Sequence, residues 1–173
     1  VITKQQAVSR ISSDDIERLF YPVIDTHKVA PAQLKSARFA SGINAVPGSA
    51  AGKVVFTAAE AERMGHKGEK VILVRKETSP EDVGGMHAAK GILTATGGKT
   101  SHAAVVARGW GKCCIVGCEV LRIDYDAKQM SVNGKTVKQG EYITLDGSAG
   151  EVYIGDMPLR EPELPDAYYT ILK

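Results

Sequence analysis

Cysteine is scarce in this chain of 173 residues: there are three, and Cys113, Cys114 and Cys118 crowd together with no distant partner. That excludes a disulfide framework and implies a reducing compartment. An excess of one charge sign is missing as well. The 22 Lys and Arg nearly balance the 20 Asp and Glu, for a formal net charge of +2. The basic residues are scattered without interleaved aromatics, so the electrostatic footprint of a nucleic-acid binder is absent. No apolar run approaches the roughly 20 residues of a membrane-spanning helix, and the start lacks the basic-then-apolar pattern of a signal peptide. A soluble protein is expected, and no internal repeat is found.

What the chain does have is an ordinary hydrophobic content, 43%, enough for one domain with appended segments around a real core. The first residue is Val1 rather than methionine, and helical composition begins at once. This points to an excised piece of a longer protein. Helical patterns cover Gln5 to Arg10 and Asp14 to Phe20, with Ser13 as an N-cap, and Tyr21-Pro22 ends them. From Asp25 to Ala40 the pattern is weak, so residues 1–40 are expected to form an N-terminal helical arm and linker. Beyond Met157 come Pro158, Pro162 and Pro165, which read as an extended C-terminal linker over 157–173.

Between the arms, residues 41–156 read as a mixed sheet with short helices. Val46 to Gly52 looks like a turn-rich loop feeding a strand at Val54–Phe56. Thr57 and Glu60 form a capping box for a helix that stops at Gly65. Strands are expected at Val71–Val74 and Gly91–Thr96, and a short helix from Pro80 to about Met86. Further strands fall at Cys114–Val116 and Val120–Tyr125, and Asn133-Gly134 marks a hairpin turn. Tyr142–Leu145 and Val152–Ile154 close the pattern as a β pair around Asp146-Gly147.

The chemistry concentrates in Gly97-Gly98-Lys99-Thr100-Ser101-His102, which joins the strand ending at Thr96 to an apolar helix over about Ser101–Gly109. Strand, glycine loop and helix is the geometry in which backbone amides face a bound anion. A helix N-terminus carries unpaired N–H groups and partial positive charge, so it disfavours a protonated imidazole and favours an anion beside it. His102 therefore reads as a neutral nucleophile at a phosphate site. Gly98 offers its backbone, and either Thr100 or Ser101 can cap the helix or donate to a phosphoryl oxygen held on His102. Arg108 is assigned to the other end of the helix. His27, His66 and His87 read as solvated surface. The cysteines have no ligand spacing and read as small buried hydrophobes rather than a metal site. Gly48 and Gly52 lack the Gly-Lys-Ser/Thr ending of a phosphate loop. Ser101 adjoins His102 and cannot stand in line with its ring as a hydrolase nucleophile.

The run from Gly97 to Arg108 resembles the phosphohistidine signature of the phosphoenolpyruvate-utilising enzymes, a family that includes pyruvate phosphate dikinase, phosphoenolpyruvate synthase and enzyme I of the sugar phosphotransferase system. Gly109-Trp110-Gly111-Lys112-Cys113-Cys114, Gly117-Cys118, Glu77–Asp82 and Gly91–Thr94 resemble the dikinases in particular, although Lys99 stands where many of them have methionine. The resemblance implies a swivelling β/β/α phosphohistidine domain of the α/β class. It implies that His102 carries a phosphoryl group between a nucleotide-binding domain and a domain binding phosphoenolpyruvate and pyruvate, in a homodimeric parent that interconverts ATP, phosphate and pyruvate with AMP, pyrophosphate and phosphoenolpyruvate. A carrier domain of a synthase or an enzyme I-like protein is the alternative. Mg2+ would be bound by the partner domains, with no metal or cofactor in this one. Thr100 matches a threonine whose phosphorylation inactivates plant dikinases. The compartment implied is cytoplasmic, with a chloroplast or a peroxisome-like organelle also open.

Overall fold

The computed structural model describes residues 23–24 and 30–160; the expected N-terminal helices, His27 and the end of the C-terminal linker lie outside them. Four strands buried at all positions but Lys53 and Arg75 run in parallel, β4 (Ser49–Val55), β5 (Val71–Arg75), β6 (Gly91–Thr94) and β7 (Cys113–Val116). Their sequences are nearly unbroken apolar runs because both faces of this part of the sheet are covered. The pleat divides the side chains between two cores. Ile72, Val74, Leu93, Cys113 and Ile115 enter one, and Val71, Leu73, Ile92, Cys114 and Val116 the other.

Helices α2 (Ala58–His66), α3 (Val83–Ala88) and α4 (His102–Trp110) connect these strands in turn, and all three pack on the second core through Ala61, Met64, Met86, Ala103, Ala104 and Ala107. Consecutive crossovers of one hand between adjacent parallel strands put every helix on one face. Thr57 caps α2, its hydroxyl accepting from the Glu60 N–H at 3.2 Å. Helices α2 and α3 meet backbone to backbone: a Cβ on Gly85 would lie 2.4 Å from the Ala58 Cα.

The sheet has eight strands in the order β2-β12-β11-β4-β5-β6-β7-β3, where β2 is Arg38–Ser41, β3 Ile43–Val46, β11 Tyr142–Asp146 and β12 Glu151–Ile154. Strands β2 and β3 occupy opposite edges, yet only Gly42 separates them. Neighbouring Cα atoms lie about 3.8 Å apart, so the two edges meet at Gly42 and the sheet closes on itself. Glycine is required there, because a Cβ would stand 2.8 Å from the Val116 carbonyl oxygen and 2.9 Å from the Ile115 side chain. A smaller antiparallel sheet, β8 (Arg122–Asp124), β9 (Gln129–Val132) and β10 (Lys135–Lys138), covers the first core with Met130, Val132 and Val137. Its hairpin turns at Asn133 and Gly134, both with positive φ. The layers are therefore small sheet, large sheet and helices, the β/β/α arrangement of the α/β class.

Three stretches depart from the sequence expectation. Ser49–Gly52, expected as loop, is the first half of β4; a Cβ on Gly52 would fall 2.8 Å from the Lys70 carbonyl oxygen, so close approach to β5 selects small residues that carry no strand signature. The segment 25–40, expected as linker, holds helix α1 (Pro31–Ala37) and the start of β2. Beyond Met157, β13 (Leu159–Arg160) pairs antiparallel with β1 (Val23–Ile24). The two flanking segments thus meet in a ribbon beside a cavity of about 490 Å3, lined by Lys70 and Lys90 where β5 and β6 begin.

Candidate functional site

At the opposite end of the sheet, where the parallel strands finish, three loops converge. Arg75 at the end of β5 is in register with Thr94 at the end of β6, so the loops that follow emerge side by side. They are stitched together by Thr96, whose N–H and hydroxyl both donate to the Lys76 carbonyl at 3.0 and 2.9 Å. The Tyr125 hydroxyl accepts from the Lys76 N–H at 2.6 Å, and the Arg75 guanidinium lies 4.7 Å from the centre of the Tyr125 ring while donating to the Phe56 carbonyl. A cleft of about 620 Å3 opens between this stitched wall and the small sheet.

The loop from Ala95 to Ser101 delivers His102 as the first residue of α4. Gly97 has φ +97°, a conformation open to glycine and costly for other residues. The chain then turns so that the Ser101 N–H donates to the Gly98 carbonyl at 3.0 Å. Ser101, not Thr100, is the N-cap: its Oγ accepts from the Ala104 N–H at 3.4 Å, and Thr100 stands exposed. Behind His102, Ala103, Ala104 and Ala107 are buried, so the helix is fixed to the sheet while its first turn and the half-buried imidazole reach the surface. First-turn amides have no carbonyl partner within a helix, and the macrodipole is positive there.

The imidazole is held from the neighbouring loop. His102 Nδ1 lies 3.0 Å from the Thr78 hydroxyl oxygen, and among the described residues Nε2 has no hydrogen-bond partner. Where Nδ1 carries the proton and donates to Thr78, Nε2 presents a lone pair. Thr78 is the residue that sequence reasoning passed over. It sits just before the helix start at Ser79-Pro80, and nothing local distinguishes it from a turn hydroxyl. Arg108 is also placed differently from expectation. Its Nη2 donates to the Lys99 carbonyl at 3.0 Å, so the guanidinium reaches back to the loop and does not serve the C-terminal end of α4. Helical side chains lean toward the N-terminus, and a long one in the last turn covers the turns before it.

The cysteines take no part. Cys113 and Cys114 point into opposite cores, and Cys118 is buried. Burial pushes the Cys114 thiol up to about 12 and Cys118 up to about 11, and raises Cys113 as well. Such thiols stay protonated and unreactive at neutral pH. His87 stands edge-on to Trp110, ring centres 5.0 Å apart, and His66 is exposed. Among the described residues no three His, Cys, Asp or Glu gather as a metal site, and no helix is long and apolar enough to cross a membrane.

A histidine thus opens a helix packed on the sheet, behind a glycine turn at the carboxyl ends of parallel strands, and residues 67–150 match the family described as PEP-utilising enzyme, mobile domain. The chain belongs to that family. Within it, the relatives are pyruvate, phosphate dikinases: the protein of Clostridium symbiosum is 49% identical over 173 residues, 99% of this chain and 19% of that protein. The chloroplastic dikinase of Flaveria pringlei is 45% identical over 172 residues, 99% of this chain and 18% of its own length. Dikinase 1 of Arabidopsis thaliana, also chloroplastic, is 48% identical over 167 residues, 96% of this chain and 17% of its own. The chain thus spans about a fifth of the length of these relatives and corresponds to the dikinase central domain.

Proposed function

We propose that this domain is the phosphoryl carrier of a pyruvate phosphate dikinase, with His102 as the covalent acceptor. The observation that carries the reading is the pairing of His102 Nδ1 with the Thr78 hydroxyl at the mouth of α4. With Nδ1–H donating to Thr78, the Nε2 lone pair attacks the phosphorus of phosphoenolpyruvate, with the enolate leaving, or the β-phosphorus of ATP, with AMP leaving and the terminal phosphoryl then passed to inorganic phosphate. The P–O bond to the leaving group breaks with its electron pair, and the new N–P bond leaves a phosphoimidazole whose proton stays on Nδ1, donated to the Thr78 hydroxyl. Transfer onward reverses the roles: the acceptor oxygen attacks phosphorus and the N–P electron pair returns to Nε2. Splitting one transfer into two through a nucleophile is the purpose of such an intermediate.

The stabilising groups are few. The Gly98 backbone, the Ser101 hydroxyl proton left free by its capping role, and the exposed Thr100 hydroxyl are the donors proposed to meet the phosphoryl oxygens, together with the positive end of α4. Mg2+ is assigned in this reading to the partner domains, and no step here passes through it. In the parent, ATP and phosphate would be handled on one domain and pyruvate on another, so the carrier has to travel. The β1–β13 ribbon joins the flanking segments at the end of the sheet away from His102. We take the flanking segments up to residue 37 and from residue 157 as the tethers, and the body they swing as the sheet domain, which begins at Arg38 with β2 rather than at residue 41, in a homodimeric parent of the cytoplasm or an organelle.

The test is mass spectrometry of the full-length protein after treatment with phosphoenolpyruvate, seeking an acid-labile phosphoryl group on His102. Its presence in wild type and loss in His102→Asn supports the reading. Absence under conditions that sustain turnover overturns it.

A further inference from the structure

We infer that Arg108 is a positioning residue that latches the loop in front of His102. This rests on the phosphoryl-carrier reading for its purpose, but the latch itself is read from geometry. Between Gly97 and Ser101 the loop has little else to hold its outer turn: Lys99 and Thr100 are exposed, and a Cβ on Gly98 would meet nothing within 4 Å. The turn bond from the Ser101 N–H to the Gly98 carbonyl fixes its base. The capping bond from the Ala104 N–H to Ser101 Oγ is long, at 3.4 Å, and bonds weaken beyond the usual 2.9–3.0 Å. Among the described residues, the side-chain hydrogen bond that reaches the outer turn runs from Arg108 Nη2 to the Lys99 carbonyl, at 3.0 Å.

The location of the guanidinium is informative because simpler electrostatics would put it elsewhere. A cation in the last turn of a helix interacts favourably with the carbonyl end of the dipole. Arg108 instead extends toward the N-terminal side, where the dipole opposes positive charge. That placement becomes favourable when a dianion occupies the mouth of the helix. One N–H holds Lys99, and the planar fork has further donors. The latch thus ties the last turn of a helix anchored on the sheet by Ala103, Ala104 and Ala107 to the loop whose amides would face the phosphoryl group. It also sets positive charge on the loop where negative charge arrives. The expected consequence of losing it is a loop that samples more conformations and a histidine that is phosphorylated more slowly, in a fold that otherwise persists.

The experiment compares wild type, Arg108→Met and Arg108→Lys in the full-length protein by two measurements. Amide hydrogen exchange of peptides spanning residues 95–104 reads the latch without reference to activity. Single-turnover formation of acid-labile phosphohistidine from phosphoenolpyruvate reads its use. Loss of a charged-group hydrogen bond predicts about tenfold faster loop exchange in Arg108→Met, with exchange of Gly91–Thr94 unchanged. It also predicts phosphorylation about tenfold slower at saturating phosphoenolpyruvate with KM little altered, and partial recovery of both in Arg108→Lys. Unchanged loop exchange in Arg108→Met overturns the latch. Faster exchange with phosphorylation within twofold of wild type overturns the positioning role. Should wild type form no phosphohistidine, the carrier reading fails, and the exchange result still decides whether Arg108 holds the loop.

Discussion

Thr78→Val is the perturbation that tests the site most directly, since it keeps side-chain volume and removes the oxygen 3.0 Å from His102 Nδ1. In the resting state a partly buried neutral hydrogen bond of this kind contributes about 1 kcal/mol net. As Nε2 forms its bond to phosphorus the ring gains positive character, the Nδ1–H bond becomes charge-assisted, and its contribution rises to about 1.5–3 kcal/mol. Only the difference affects rate, about 0.5–2 kcal/mol, so Thr78→Val should slow phosphorylation by about 2–30-fold. Thr78 is half-buried in a loop, so global stability should change by less than about 1 kcal/mol. The assay is rapid-quench formation of phosphohistidine, paired with 15N NMR of the His102 ring. The variant should lose the preference for the Nδ1–H tautomer, and Thr78→Ser should restore both observables. A Thr78→Val rate within twofold of wild type, with the tautomer unchanged, would refute the argument that Thr78 sets the nucleophile.

Other outcomes follow from the same geometry. Thr100→Asp should suppress phosphorylation of His102 by about tenfold or more, since it places a negative charge two residues from an anion site; normal activity in the full-length variant would count against a regulatory role for Thr100. Gly42→Ala should cost more than about 2 kcal/mol in denaturant unfolding, because its Cβ meets the Val116 carbonyl at 2.8 Å at the seam of the sheet. Asp146 is held above the ordinary carboxylate value by burial, although Ser148 and Ala149 N–H groups donate to it. Its folded-state pKa being raised, the folded form binds the proton more tightly. The penalty for its charge is full above that raised pKa and is relieved as pH falls toward 3.8. Asp146→Asn should therefore stabilise the protein near neutral pH and flatten this part of the pH profile, whereas loss of stability at pH 7 would contradict the sign. Native Cys114, pushed up to about 12 by burial, should resist alkylation at pH 8 until the protein unfolds, which mass spectrometry of trapped adducts would check.

Much of this was legible because it is local. The Thr57 cap, the Asn133-Gly134 hairpin, the apolar strands and the entry of His102 into α4 each depend on residues within a few positions of one another, and the structure places all of them. Ser49–Gly52 was not legible, because small residues chosen for close approach to Lys70 look like a turn. Nor was the closure at Gly42, where one residue joins two edges of a sheet whose order the sequence does not display. Arg108 was misplaced for a different reason: the dipole rule ranks sites along a helix but does not say what the long side chain finds within reach.

The sequence by itself determined that His102 opens a helix behind a glycine turn, since helix starts and φ-positive turns are decided by neighbours along the chain; its apolar run suggests burial all round, whereas Val105 is exposed and only the Ala103, Ala104 and Ala107 face is buried. Tertiary structure decided which ring nitrogen of His102 is held, Nδ1 against the Thr78 hydroxyl. That depends on Thr78, 24 residues earlier, and the two meet only because β5 and β6 pair in parallel with Arg75 opposite Thr94, bringing their following loops to the same edge. Long-range register of this kind is fixed by the packing of whole strands, and no short window of sequence contains it.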